Sequence, residues 1–236
     1  MLEKHDARLR GISLLTGEER HANLFSSNVF VIGNKAITLI DAGDGCEGNR
    51  LEPAFQRLNL DIRNIVKVVV THTHDDHWGG LMELLQTIPL TVLVYSGDIE
   101  YYREELSYLK KGNEFKIMGL DEGDLVETEN HTLKVLHTPG HDGGSICLYD
   151  ANCKILFSGD TVFASGTTGS ARSGNLNDLK KSLKRLTSID VDIMLPGHGD
   201  IAYEKANEAI KLALERMAWN EGANKNIPSW MKINKE

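Results

Sequence analysis

The stretch that most constrains this chain is Thr71-His72-Thr73-His74-Asp75-Asp76-His77-Trp78-Gly79-Gly80. Residues 65–70, just before it, are apolar and rich in β-branched side chains, the pattern of a buried strand. Side chains alternate along extended backbone, so His72 and His74 face the same way if the extension persists past the strand's end. Two imidazoles on one face can grip one ion. Asp76 and His77 follow where the chain has to turn, and can aim at a second position beside the first. Gly79-Gly80 permits a tight turn into a following helix. A lone His reads as an ordinary core or surface imidazole. With nine His in 236 residues, however, a chance H-x-H-x-D-H match is on the order of one in a thousand.

Three further donors stand in loops just after predicted strands. His141 follows the turn signal Pro139-Gly140, Asp160 follows Gly159 at the end of an apolar run, and His198 follows Pro196-Gly197. Each alone reads as a solvated loop residue or a cap. Together with the first motif they form a set of strand-end donors able to converge at one sheet edge. Five His and two Asp suffice for two ions with one carboxylate shared. Imidazole and carboxylate without thiolate suit zinc first, with iron or manganese as alternatives.

Periodicity predicts strands over residues 9–16, 28–32, 36–40, 65–70, 91–95, 124–127, 132–137, 145–149, 154–157 and 191–195. It predicts helices over 49–58, 81–87, 99–109, 176–186 and 203–219. Residues 41–45 (Asp-Ala-Gly-Asp-Gly) read as a flexible loop. The Tyr101, Tyr102 and Tyr108 stripe reads as packing, on a helix able to rim a pocket. Strands and helices alternate irregularly in both halves, which suggests an α+β layered sandwich of two mixed sheets with helices outside. A single domain over 1–219 is expected. Residues 220–236 read as a poorly ordered tail in which Trp230 suggests some docking.

The formal charge of −8 argues against a nucleic-acid binder, which needs a basic face. No stretch is long and apolar enough for a bilayer, and the N-terminus lacks an apolar signal core, so no membrane partner and a cytoplasmic location are expected. Three irregularly spaced cysteines make neither a disulfide framework nor a zinc ribbon. Gly-x-Ser-x-Gly is absent, which leaves a serine hydrolase little support.

In the order His72, His74, Asp76, His77, His141, Asp160, His198, the chain resembles the metallo-β-lactamase fold superfamily, and Asp41-Ala42-Gly43 matches as well. Gly159-Asp160-Thr161-Val162-Phe163 followed by a Gly-rich loop is similar to the glyoxalase II-like branch; of that branch's loop, residues 169–174 keep Arg172 and the glycines. The resemblance implies a four-layer αββα sandwich with the site at one edge of the two sheets. It implies two divalent ions, one held by His72, His74 and His141, the other by Asp76, His77 and His198, with Asp160 bridging. It further implies hydrolysis of a small ester, thioester or lactone by a metal-bridging hydroxide that Asp76 orients. A phosphodiesterase of the same fold and a one-iron persulfide dioxygenase are the alternatives, with a non-enzymatic metal-binding protein behind them. The expected partner is a small-molecule substrate, and Arg172 is the candidate for contacting it. The Lys180, Lys181, Lys184 and Arg185 cluster reads as a solvated helix face.

Overall fold

The computed structural model describes residues 2, 5–15, 26–46, 50–109, 115–171 and 173–225. The elements run β1 (Ile12–Leu15), β2 (Val29–Ile32), β3 (Ile37–Ile40), α1 (Leu51–Arg57), β4 (Ile65–Val69), α2 (Asp75–Trp78), α3 (Leu81–Thr87), β5 (Thr91–Tyr95), α4 (Ile99–Glu105) and β6 (Lys116–Leu120). The second half continues with β7 (Leu125–Glu127), β8 (Thr132–His137), β9 (Ile146–Asp150), β10 (Ile155–Gly159), α5 (Leu176–Leu186), β11 (Ile193–Pro196) and α6 (Ala206–Lys225).

Among the described residues, one sheet has the order β1-β2-β3-β4-β5-β6 and the other β11-β10-β9-β8-β7. Both are mixed. β1, β2 and β3 pair antiparallel, whereas β3 to β6 pair parallel. In the second sheet only the β10–β11 pair is parallel.

The layers follow from side-chain alternation. In β2, Val29 and Val31 face one cluster while Phe30 and Ile32 face another. β10 does the same, with Ile155 and Phe157 turned inward and Leu156 outward. A strand buried on both faces reads as continuously apolar, yet each face is a separate set with period two. Between the sheets, Phe30, Ile40, Val69, Leu133, Val135, Leu148, Phe157 and Leu195 form the inner core. Phe30 and Phe157 meet there edge to face at 5.5 Å. Leu51 and Phe55 of α1, with Leu81, Leu84 and Leu85 of α3, cover the outer face of the first sheet. Leu183 and Leu186 of α5, with Ile210 and Ala213 of α6, cover the second. Each such side chain contributes about 1.5–3 kcal/mol by leaving water. The result is the expected αββα sandwich.

Several local readings are corrected. β6 was not foreseen: its sequence Lys-Ile-Met-Gly-Leu carries a glycine and exposes Lys116 and Met118 at a sheet edge, which blurs alternation. The loop at 41–45 is no flexible segment, since Asp41, Ala42 and Gly43 are buried. Gly79 and Gly80 do form the tight turn between α2 and α3, and they make it with right-handed helical φ of −54° and −64°. Glycine is needed there because a Cβ on Gly79 would overlap the Asp44 carbonyl, and one on Gly80 the Ala42 carbonyl. α6 runs on to Lys225, beyond residue 219 where the closing helix was expected to stop. Trp230 lies outside the described residues.

Strand direction places the site. The chain leaves β3, β4, β8, β10 and β11 at one edge of the sandwich, and the loops there carry Asp41, residues 71–77, His141, Asp160 and His198. Backbone bonds join these loops: Ile146 N–H donates to Thr71 O at 2.9 Å, and Gly197 N–H to Gly159 O at 2.8 Å.

A candidate metal centre at the sandwich edge

All seven singled-out side chains meet at this edge. His72 Nε2 lies 3.1 Å from His74 Nδ1, and His141 Nε2 lies 3.2 and 2.9 Å from those two atoms. The convergence is made in the loop after β4, not on the strand itself. Beside it, His77 Nε2 is 3.3 Å from His198 Nε2, and Asp76 Oδ2 is 2.9 Å from His198 Nε2. Asp160 faces both groups. Its Oδ2 is 3.6 Å from both His141 Nε2 and His198 Nε2, and its Oδ1 is 3.5 Å from His77 Nε2.

The outer partners decide which ring nitrogens carry protons. His77 Nδ1 faces Asp41 Oδ2 at 2.8 Å, and His141 Nδ1 faces the Ser170 carbonyl at 2.7 Å. Both partners only accept, so both outer nitrogens are N–H donors. The Thr71 hydroxyl gives its proton to Asp41 and therefore accepts from His72 Nδ1 at 3.0 Å. The Ser173 hydroxyl donates to His141 O and therefore accepts from His74 Nε2 at 2.8 Å. In the neutral form, each of these four imidazoles therefore has its bare nitrogen pointing inward. Such outward N–H partners are how proteins orient metal-binding imidazoles.

Bare nitrogens this close repel one another unless a cation lies among them. Nitrogens bound about 2.0–2.1 Å from a tetrahedral ion sit about 3.3 Å apart, close to the spacing found. Burial, and then the neighbouring imidazoles, push His72 well below the ordinary histidine value. Burial also lowers His141, against the pull of Asp160. At His77 burial opposes charge as well, but Asp41, Asp160 and Asp76 outweigh it and raise the pKa to about 9. These carboxylates demand positive charge at His77 Nε2, which a proton or a metal ion can supply. Asp160 Oδ1 is buried and accepts no hydrogen bond, a costly state that a cation relieves. A Cβ on Gly197 would overlap this same oxygen, so the turn before His198 needs glycine. The donor set of imidazole and carboxylate thus fits divalent cations.

Several supporting residues were not foreseen. Asp41 is the most important. It accepts from Thr71 N (2.8 Å), Thr71 Oγ1 (3.0 Å) and His77, and it holds a left-handed backbone with φ of 60°. Its visible signal was an Asp directly after an apolar strand. Tyr102 belongs to the aromatic stripe read as packing; it is buried, and its hydroxyl donates to His72 O at 2.9 Å. Tyr101 stands half-exposed against Trp78 at the rim. Arg172 lies outside the described residues. In the basic cluster on α5, Lys181 pairs with Asp178 and Arg185 with Glu122.

Asp98, half-buried before α4, is a further acid near this edge. Burial and the Asp142 carboxylate push it up to about 6, against a smaller pull from His137. Its folded pKa lies above the ordinary 3.8. Its contribution is therefore full below that value and lost as pH rises through about 6. Asp98→Asn is expected to raise the thermal midpoint at pH 8 and leave it nearly unchanged at pH 4. Equal shifts at both pH values would show that ionisation of Asp98 plays no part.

Residues 22–198 match the family model described as Metallo-beta-lactamase superfamily. The chain belongs to that superfamily. Over 209 residues it is 28% identical to the atrochrysone carboxyl ACP thioesterase of Aspergillus fumigatus, covering 88% of this chain but only 61% of that protein. It is 27% identical to the hydroxyacylglutathione hydrolase of Pelagibacter ubique, covering 85% of this chain and 80% of the relative. Relatives of that name support the glyoxalase II-like branch of the superfamily. A metallo-beta-lactamase family protein of Thermus thermophilus shares the fold with a TM-score of 0.71 at 21% identity, over 92% of this chain and 84% of that one. No helix among the described residues is long and apolar enough to cross a membrane.

Proposed function

We propose that this chain is a dinuclear metal-dependent hydrolase that cleaves a small acyl thioester. The observation that carries the reading is Asp160, whose buried carboxylate faces two adjoining donor groups at once. His72, His74 and His141 would hold one ion, Asp76, His77 and His198 the other, and Asp160 would touch both. Zinc suits these donors, with iron and manganese as alternatives. When bound, the two ions supply a water of lowered pKa and a Lewis-acid contact for the substrate's carbonyl oxygen.

The chain's own residues do the rest. Asp76 is partly open to solvent, at 29% side-chain exposure, and turns one oxygen to His198. Burial raises its pKa, but the His198 hydrogen bond and His77 outweigh this, so it is held below the ordinary carboxylate value. Ionised at neutral pH, it can accept a hydrogen bond from the attacking water and pass a proton to the leaving thiol. Phe163, against His198 at 6.2 Å, and Tyr101 offer apolar walls for an acyl group. Arg172 is the candidate for an anionic part of the substrate. Its neighbours Ser170 and Ser173 both hydrogen-bond site imidazoles.

The thioester is favoured because two relatives are named for acyl groups carried on thiols, an acyl carrier protein and glutathione. The test joins elemental analysis to a panel of thioesters, oxygen esters, lactones and phosphodiesters. About two ions per chain are expected, with kcat/KM highest on thioesters. One iron per chain with oxygen uptake on a persulfide would replace hydrolysis by sulfur oxidation. Turnover confined to phosphodiesters would move the substrate class.

A further inference from the structure

The His72, His74 and His141 group is tied together by a residue that faces none of the bare nitrogens. Asp142 is 8% exposed. Its Oδ2 accepts from Thr73 Oγ1 at 2.8 Å and from Thr73 N at 3.2 Å; its Oδ1 accepts from Gly143 N at 2.8 Å. Its carbonyl accepts from Gly140 N at 3.0 Å. Its backbone also forms an isolated bridge with Ser173. Thr73 lies between His72 and His74, Asp142 follows His141, and Ser173 is the hydroxyl partner of His74. The buried carboxylate therefore ties the His72–His74 segment to the His141 turn, and the backbone beside it holds the Ser173 loop, so that three mutually repelling nitrogens are placed together.

We propose that Asp142 is a positioning residue for the first ion. It clamps the His72-Thr73-His74 segment onto the His141 turn, so that the three nitrogens are assembled before an ion arrives. The inference rests on the proposed assignment of these imidazoles to one ion. Its physical basis is preorganisation. Bare nitrogens held together by charge-assisted bonds from outside need little rearrangement on binding. Asp41 braces the other side, through His77 directly and through Thr71 to His72.

The plainer role for the Asp142 side chain is a turn cap that accepts from Gly143 N–H. That role predicts lower stability with and without metal, and unchanged affinity. The two are separated in a His198→Ala background, which removes a donor of the second position and leaves the three imidazoles. There, zinc affinity is measured by chelator competition, and cobalt(II) absorption reports the donor geometry. Asp142→Ala is expected to weaken binding by about 10–100-fold and to alter the cobalt spectrum. Asp142→Asn keeps an acceptor for Thr73 and should fall between parent and alanine variant. Thr73→Val removes one of the clamped donors, should shift affinity the same way, and should add little on top of Asp142→Ala.

Unchanged affinity in Asp142→Ala, or full additivity with Thr73→Val, overturns the inference. If Asp142→Ala does not fold, Asp142→Asn and Thr73→Val decide alone: both weaker than parent supports the clamp, and both at parent affinity overturns it. A parent that binds two ions yet cleaves no thioester overturns the proposed activity alone, because these readouts need no turnover. A parent that binds no ion overturns both.

Discussion

Asp160→Ala is expected to lower turnover by at least about 10³-fold and to reduce bound metal from about two ions per chain to one or fewer. Asp160 is the side chain that faces both the His141 side and the His77–His198 side of the pocket. Loss of one ion removes several kcal/mol of charge stabilisation in the transition state, and each 1.36 kcal/mol is about tenfold in rate. Fold damage would not explain the loss. Asp160 Oδ1 is buried without a hydrogen bond, and in the metal-free protein relief of that orphaned oxygen offsets the loss of its attraction to His77 and His141. The metal-free variant should melt near the parent, while the metal-loaded variant should lose the extra stability that bound ions confer. Turnover within tenfold of the parent, at full metal content, would end the bridging role. His74→Ala should show the same loss of activity through the first group alone.

The largest effect on stability is expected at Asp41. Asp41→Ala would leave three buried donors without their acceptor: Thr71 N–H, the Thr71 hydroxyl and His77 Nδ1–H. Breaking a buried hydrogen-bonded pair on one side costs about 3–5 kcal/mol. Alanine would also have to hold φ of 60°, which adds about 1–2 kcal/mol. Asp41→Asn tolerates that backbone and retains one acceptor, so its loss should be roughly half. Urea unfolding at neutral pH measures both. A midpoint for Asp41→Ala equal to the parent's would mean that water or a shifted loop replaces the carboxylate. Because Asp41 fixes the tautomer of His77, affinity for the second ion should also fall by about 10–100-fold.

These two acids differ in how readable they were. Asp160 stands after Gly159 at the end of an apolar run, among other strand-end donors, and its chemistry alone made it a candidate. Asp41 stands after an apolar run too, but in a Gly-rich stretch that reads as a mobile loop. The reason it is buried is the approach of Gly79 and Gly80 to residues 42–44, a packing event with no trace in local periodicity. Tyr102 is similar. Its helix face reads as core, and burial is correct, but its hydroxyl contact with the His72 carbonyl depends on how α4 lies against the loop after β4. β6 escaped because an edge strand is buried on too few sides to show alternation.

By itself the sequence determined the layered α+β architecture and the donor set, because both rest on local properties: period-two burial, strand-end turns, and side chains with lone pairs for a cation. The tertiary structure decided which donors meet, which ring nitrogens are bare, and which residues hold them so. Those outcomes hang on contacts such as Asp41 with Thr71, 30 positions apart, and Asp142 with Thr73, 69 positions apart. A hydrogen bond across such a span exists only once two sheets have packed and brought their loops to one edge. Spacing within a motif can name the donors, but the protons on them are set by partners elsewhere in the chain.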